Sequence, residues 1–157
     1  MLQIDHDRFQ GIETLANDYN TALMTGAGLS FIAAMLHLVV IVGGPSWYHL
    51  FGAGKRFVRA AEAGKRCPTL ITLGIAAILA GFGLYALSGA GFLPPLPMLR
   101  PLLCVITLVY LIRGVAGPVV LRGTGRSPIF IWTTSGICLI YGLCHLVGSA
   151  QMWQLMG

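Results

Sequence analysis

The sequence predicts an all-α integral membrane protein, a bundle of four transmembrane helices. Composition is the first observation behind that reading. Of 157 residues, 56 % are hydrophobic and only 10 % are charged, whereas a soluble domain carries about 25 % charged residues. The mean hydropathy is +0.80. So few charges cannot cover a water-soluble globule of this size. The second observation is the spacing of four apolar blocks, each near the ~20 residues needed to cross a ~30 Å hydrocarbon core. Spanning segments must be helices or a closed barrel, because lipid offers backbone groups no partner. Barrel strands alternate apolar and polar over about ten residues, and the run Leu70-Ile71-Thr72-Leu73-Gly74-Ile75-Ala76-Ala77-Ile78-Leu79 does not.

Residues 1–20 form a polar, acidic tail. A cleavable signal peptide starts cationic and continues into an apolar core, which this tail does not. Phe9, Ile12, Ala16 and Tyr19 recur at helical spacing, so the tail reads as a short amphipathic segment at the outer surface. Asp5, His6 and Asp7 are sequence neighbours that diverge on a helix, so they make no metal site.

The first span covers about 21–44 and holds one ionisable residue, His37. A basic loop follows over 45–67, opening on Pro45, Trp47, Tyr48 and His49, aromatic side chains suited to the headgroup layer. After Gly52-Ala53-Gly54 the chain predicts a short basic amphipathic helix over Lys55 to Ala63, lying on the membrane face. The glycines lack the Gly-Lys-Ser/Thr ending of a phosphate loop. The second span covers about 68–91, and a stiff connection with Pro94, Pro95, Pro97 and Pro101 leads to the third, about 101–121, which carries Tyr110 and Arg113. The fourth covers about 129–149 and contains His145.

Cation placement predicts orientation. Seven of the ten Lys and Arg residues lie in the two loops that share one side: Lys55, Arg56, Arg59, Lys65, Arg66, Arg122 and Arg126. That side is expected to be cytoplasmic, with both termini outside and a bacterial inner membrane as the setting. The net charge of +5 then reads as a topology signal and an attraction to anionic inner-leaflet headgroups. Nucleic acid is not an expected partner, since no basic soluble domain exists to bind it.

Small residues four apart mark helix faces that approach other helices closely. Ala22, Gly26, Ser30 and Ala34 do so in span one, Ala77 and Gly81 followed by Tyr85 in span two, and Thr134, Cys138 and Gly142 followed by His145 and Ser149 in span four. These faces are expected to meet protein, in the bundle core or in a larger membrane complex or homo-oligomer. The four cysteines contain no Cys-x-x-Cys pair. A symmetric turn near Gly125 sets Cys104 level with Cys144, where a disulfide is geometrically conceivable beside the default of apolar filling.

Intramembrane ionisable residues are costly and invite a functional reading. His37 and His145 suggest a haem b or quinone site, but their depths differ by roughly 14 Å at ~1.5 Å per residue, too far to ligate one iron. Haem would then need a single histidine, ligands shared across a homo-oligomer, or His49 joining His37. Arg113 is harder to explain by packing. No Asp or Glu occurs in any span, so its guanidinium must snorkel, pair with carbonyls, or hold an anion. The expected ligand site is Arg113 with His37 and Tyr110. There is no catalytic carboxylate, nucleophile triad or metal set, so the expected function is non-enzymatic and cofactor-free: a subunit or assembly factor of a membrane complex, or a binder of an anionic amphiphile such as a lipid phosphate. A haem- or quinone-binding redox protein is the alternative.

Overall fold

The computed structural model describes residues 19–154, and among them the chain forms five helices and no strand. They are α1 (Thr21–Leu50), α2 (Lys55–Glu62), α3 (Cys67–Gly89), α4 (Leu99–Val120) and α5 (Pro128–Met152). All but α2 are long and apolar enough to cross a membrane. The fold is thus a multi-pass four-helix bundle. The amphipathic reading of the tail and the Asp5-His6-Asp7 cluster fall outside the described residues.

Local chemistry explains most boundaries. Asn20 caps α1, its side-chain oxygen accepting from Leu23 N, and Ser127 does the same for α5 from Phe130 N, with Pro128 in the first turn. The departure from expectation is α1, which resumes after its apolar block. Gly44 leaves the helical region (φ 66°, ψ −153°) and Pro45 starts one further turn to Leu50. Trp47 folds back over Gly43, where no Cβ could fit, and stacks on Phe51 with ring centroids 5.8 Å apart. The aromatic run read as the start of a loop is therefore helical.

Around the bundle, α1 packs along α3 and α5, and α4 packs along α5. The α3–α4 seam is looser, and α1 and α4 sit on a diagonal with no Cα atoms within 8 Å of each other. Leu23, Ala27, Ala86, Leu103, Ile106 and Tyr110 anchor the core. Large apolar side chains such as Ile32, Val42, Ile78, Val115 and Ile140 point outward, the pattern of a surface whose solvent is lipid.

Glycine sets the close approaches. Leu139 lies against Gly114 and Leu111 against Gly142, each so near that a Cβ would sit 2.6 Å from the leucine. With Leu111 facing Gly142, Cys104 is level with Ser149, and Cys104 and Cys144 are offset by roughly 7 Å along the bundle. Both thiols are free. The turn is not symmetric, because Gly123 and Gly125 take left-handed φ values of 77° and 78° and Arg126 is drawn aside (below).

The small-residue faces of α1 and α5 point inward, with Gly26, Ser30, Ala34, Gly142, His145 and Ser149 buried. The α3 face does not. Ala77 is exposed and a Cβ on Gly81 would meet nothing within 4 Å, so this stripe does not face the core of the bundle. The α3 face turned inward carries Thr72, Ala76, Gly83 and Ala86. The cause is Phe31 of α1, whose ring fits only opposite a glycine: a Cβ on Gly83 would come within 2.8 Å of it. That contact fixes the rotation of α3.

Two knots close the ends. At the end where residues 19 and 154 lie, Asn20 Nδ2 donates to Gln151 Oε1 at 2.7 Å, and Asn20 N donates to Ala90 O at 3.1 Å. Arg100 lies 5.5 Å above the Trp153 ring, and Ser88 Oγ donates to Pro94 O at 2.8 Å while accepting from Leu96 N. The opposite, basic end is held by Arg126.

Candidate functional site

Two polar groups interrupt the apolar interior. The first lies in the half of the bundle nearer the termini. His145 is completely buried, and its Nδ1–H donates to Tyr141 O at 2.8 Å, which leaves Nε2 as an acceptor. That Nε2 is buried without a hydrogen-bond partner among the described residues. The imidazole fits because residue 26 is glycine: a Cβ there would lie 2.8 Å from His145 Cε1. The Tyr110 ring is 5.2 Å from the His145 ring and 5.3 Å from that of Tyr141. Ser30 Oγ donates to Gly26 O at 2.8 Å, so the Tyr110 hydroxyl, 2.9 Å away, is the donor to Ser30.

The second group lies toward the basic end. Arg113 reaches α5, with Nη1 3.5 Å from Ser135 Oγ and Nη2 3.4 Å from Thr134 Oγ1. These are long contacts between a charge and two neutral hydroxyls. Gly117 makes room for them, since a Cβ there would strike both Arg113 Nη1 and Ser135 Oγ. No carboxylate is available, because Glu62 is the only one among the described residues and is exposed on α2. The neighbouring charge is instead a second cation. Burial first, and the Arg113 charge second, push the Arg126 guanidinium below its ordinary value, although arginine remains charged.

Arg126 itself is clasped. Nε donates to Gly52 O at 2.6 Å and Nη2 to Ala53 O at 2.9 Å. The glycine-broken loop after α1 leaves these carbonyls without helical partners, and the planar guanidinium fork meets both. The clasp joins the two basic loops and borders an open groove of about 650 Å³ between α2 and the α4–α5 connection. The groove has a mixed lining: Leu50, Val58 and Phe130 beside Lys55, Arg59 and Arg126, with Glu62 as its carboxylate. The Lys55 stem lies 3.5 Å from where a Gly125 Cβ would be.

The side chains expected to form one site take separate partners. Tyr110 turns across the diagonal to Ser30, Arg113 turns to α5, and His37 donates from Nδ1 to Ala33 O on its own helix at 2.7 Å. His49 is exposed at the edge of the groove. His37 and His145 lie far apart: His145 touches Gly26, eleven residues before His37 and so roughly 16 Å from it along α1. They do not fit the two faces of one haem. Sequence reasoning missed Arg126, Ser135 and Thr134 as companions of Arg113. The available signal was the Gly52-Ala53-Gly54 break, which predicts free carbonyls but not which donor takes them. No family model matches the chain, and neither a curated protein nor a solved structure is found to be similar to it.

Proposed function

We propose that the chain is a non-enzymatic membrane module that binds an anionic amphiphile at its basic end, with that end facing the cytoplasm and both termini outside. In that role it would serve a larger membrane assembly as a small lipid-holding subunit, or act alone. The observation that supports the reading is the pair Arg113 and Arg126: the first meets only the hydroxyls of Ser135 and Thr134, the second only the carbonyls of Gly52 and Ala53, and neither bonds a carboxylate among the described residues. Like charges at the bilayer boundary repel unless an anion joins them, and lipid phosphate is the anion most available there.

Purification in mild detergent followed by mass spectrometry of extracted lipid tests it. An acidic lipid should be retained, and retention should fall about tenfold or more in Arg113→Leu. Arg113→Lys should restore part of it, through charge without the planar fork. Unchanged acidic lipid in a well-folded Arg113→Leu protein would reject the reading. A stoichiometric co-purifying protein without lipid would favour the complex-subunit role instead.

A further inference from the structure

Resting on that reading, we infer that the bound anion is the phosphodiester headgroup of an inner-leaflet phospholipid, seated in the groove between α2 and the α4–α5 connection. Three features of the groove select this ligand. The first is charge: the basic end carries eight cationic side chains, Lys55, Arg56, Arg59, Lys65, Arg66, Arg113, Arg122 and Arg126, against the single carboxylate Glu62. The second is the mixed wall. Lys55, Arg59 and Arg126, three cations against the one lining carboxylate Glu62, stand beside Leu50, Val58 and Phe130, a lining suited to a molecule whose anion continues directly into apolar chain. A free inorganic anion would leave those apolar groups uncovered. The third is preorganisation. The two carbonyl bonds of Arg126 use Nε and one Nη2 hydrogen, which leaves three of its five N–H donors for a ligand.

A phosphodiester shares one negative charge between two unesterified oxygens on one centre, each able to accept several hydrogen bonds, and so bridges donors that converge from two loops. With the four long helices spanning the bilayer and α2 on its face, the groove would open toward the headgroup layer. It is formed by the end of α1, the surface helix α2 and the start of α5, so a lipid can enter it laterally with its chains still among their neighbours. The two basic loops thereby act as jaws, with Arg126 as their hinge pin.

The test is a competition in detergent micelles, with phosphatidylglycerol, phosphatidylcholine and oleate as probes, read by native mass spectrometry. The wild-type chain should hold phosphatidylglycerol in preference to both others. In Lys55→Gln/Arg59→Gln the preference should fall about tenfold. The control Lys65→Gln/Arg66→Gln removes the same charge from the same end but lies outside the groove, and should keep the preference. Equal loss in both double variants would mean diffuse attraction and would overturn the groove. So would no loss in Lys55→Gln/Arg59→Gln; if Arg113→Leu still lost acidic lipid, amphiphile binding would survive without the groove. Oleate held as well as phosphatidylglycerol would overturn the phosphodiester. Loss of all acidic-lipid retention by the wild-type chain would remove the underlying reading itself. Circular dichroism on each variant confirms that the helices persist, which is expected because Lys55, Arg59, Lys65 and Arg66 are all exposed.

Discussion

Tyr110 and Ser30 are hydrogen-bonded at 2.9 Å although their helices nowhere bring Cα atoms within 8 Å. The phenol carries a hydrogen bond across the diagonal of the bundle. It acts as a strut that sets the distance between α1 and α4, helped by edge-on contacts with Phe82 and Tyr141. Tyr110→Phe keeps the ring and removes the strut. Polar bonds between membrane helices contribute about 0.6 kcal/mol on average, so the variant should lose roughly that much in a detergent unfolding titration. A cycle with Ser30→Ala should return a coupling of similar size. A coupling near zero would mean that the bond adds nothing to the ring packing.

Gly26 and Gly28 make an internal comparison on one helix. A methyl group on Gly26 would press on the His145 ring at 2.8 Å, whereas one on Gly28 would meet nothing within 4 Å. Gly26→Ala should cost about 1–3 kcal/mol through overpacking, and Gly28→Ala should be neutral or slightly stabilising. Combining Gly26→Ala with His145→Ala should recover much of the loss. Equal effects of the two single variants would contradict the close seat of His145.

The Arg126 clasp should govern how firmly α2 is held. Hydrogen bonds to charged groups contribute about 1.5–3 kcal/mol each, so Arg126→Gln should raise amide exchange over Lys55–Glu62 at least about tenfold. Arg126→Lys should rescue little, because one ammonium cannot reproduce two bonds from a planar fork. Exchange confined to its wild-type rate would show that α2 is held by its apolar side alone.

Orientation is open to labelling. In a background with the four native cysteines replaced by alanine, Phe92→Cys should react with an impermeant thiol reagent on intact cells and Lys55→Cys should not. Both positions are exposed and lie at opposite ends of the bundle. The reverse pattern would invert the topology.

The sequence made the four spans legible because lipid imposes a length and a polarity that any apolar block displays. It did not show that α1 continues to Leu50, since a Gly44-Pro45 pair reads equally as an end and as a kink. Rotation about each axis was less legible still. The stripe of Ala77 and Gly81 obeys the same spacing rule as Gly26 and Ser30, yet faces outward, because the ring of Phe31 demands a glycine and finds Gly83. Near the site, Arg113 stood out by its charge alone. Its neighbours Ser135, Thr134 and Arg126 did not, because hydroxyls are common in helices and Arg126 read as one more loop cation. Which side chains converge depends on register, and register came from glycine contacts between distant helices.

The Asn20 knot has a consequence for the order in which the protein is made. Asn20 begins the first span, yet its partners are Ala90, after the second, and Gln151, in the last turn of the fourth. A chain is inserted from its N-terminus onward. The first helix must therefore sit in the membrane with its starting residue only partly bonded until the fourth span has followed it. Truncation before Gln151 would leave that bond unmade, so the last turn of α5 completes, across the bundle, a cap that the first span opened.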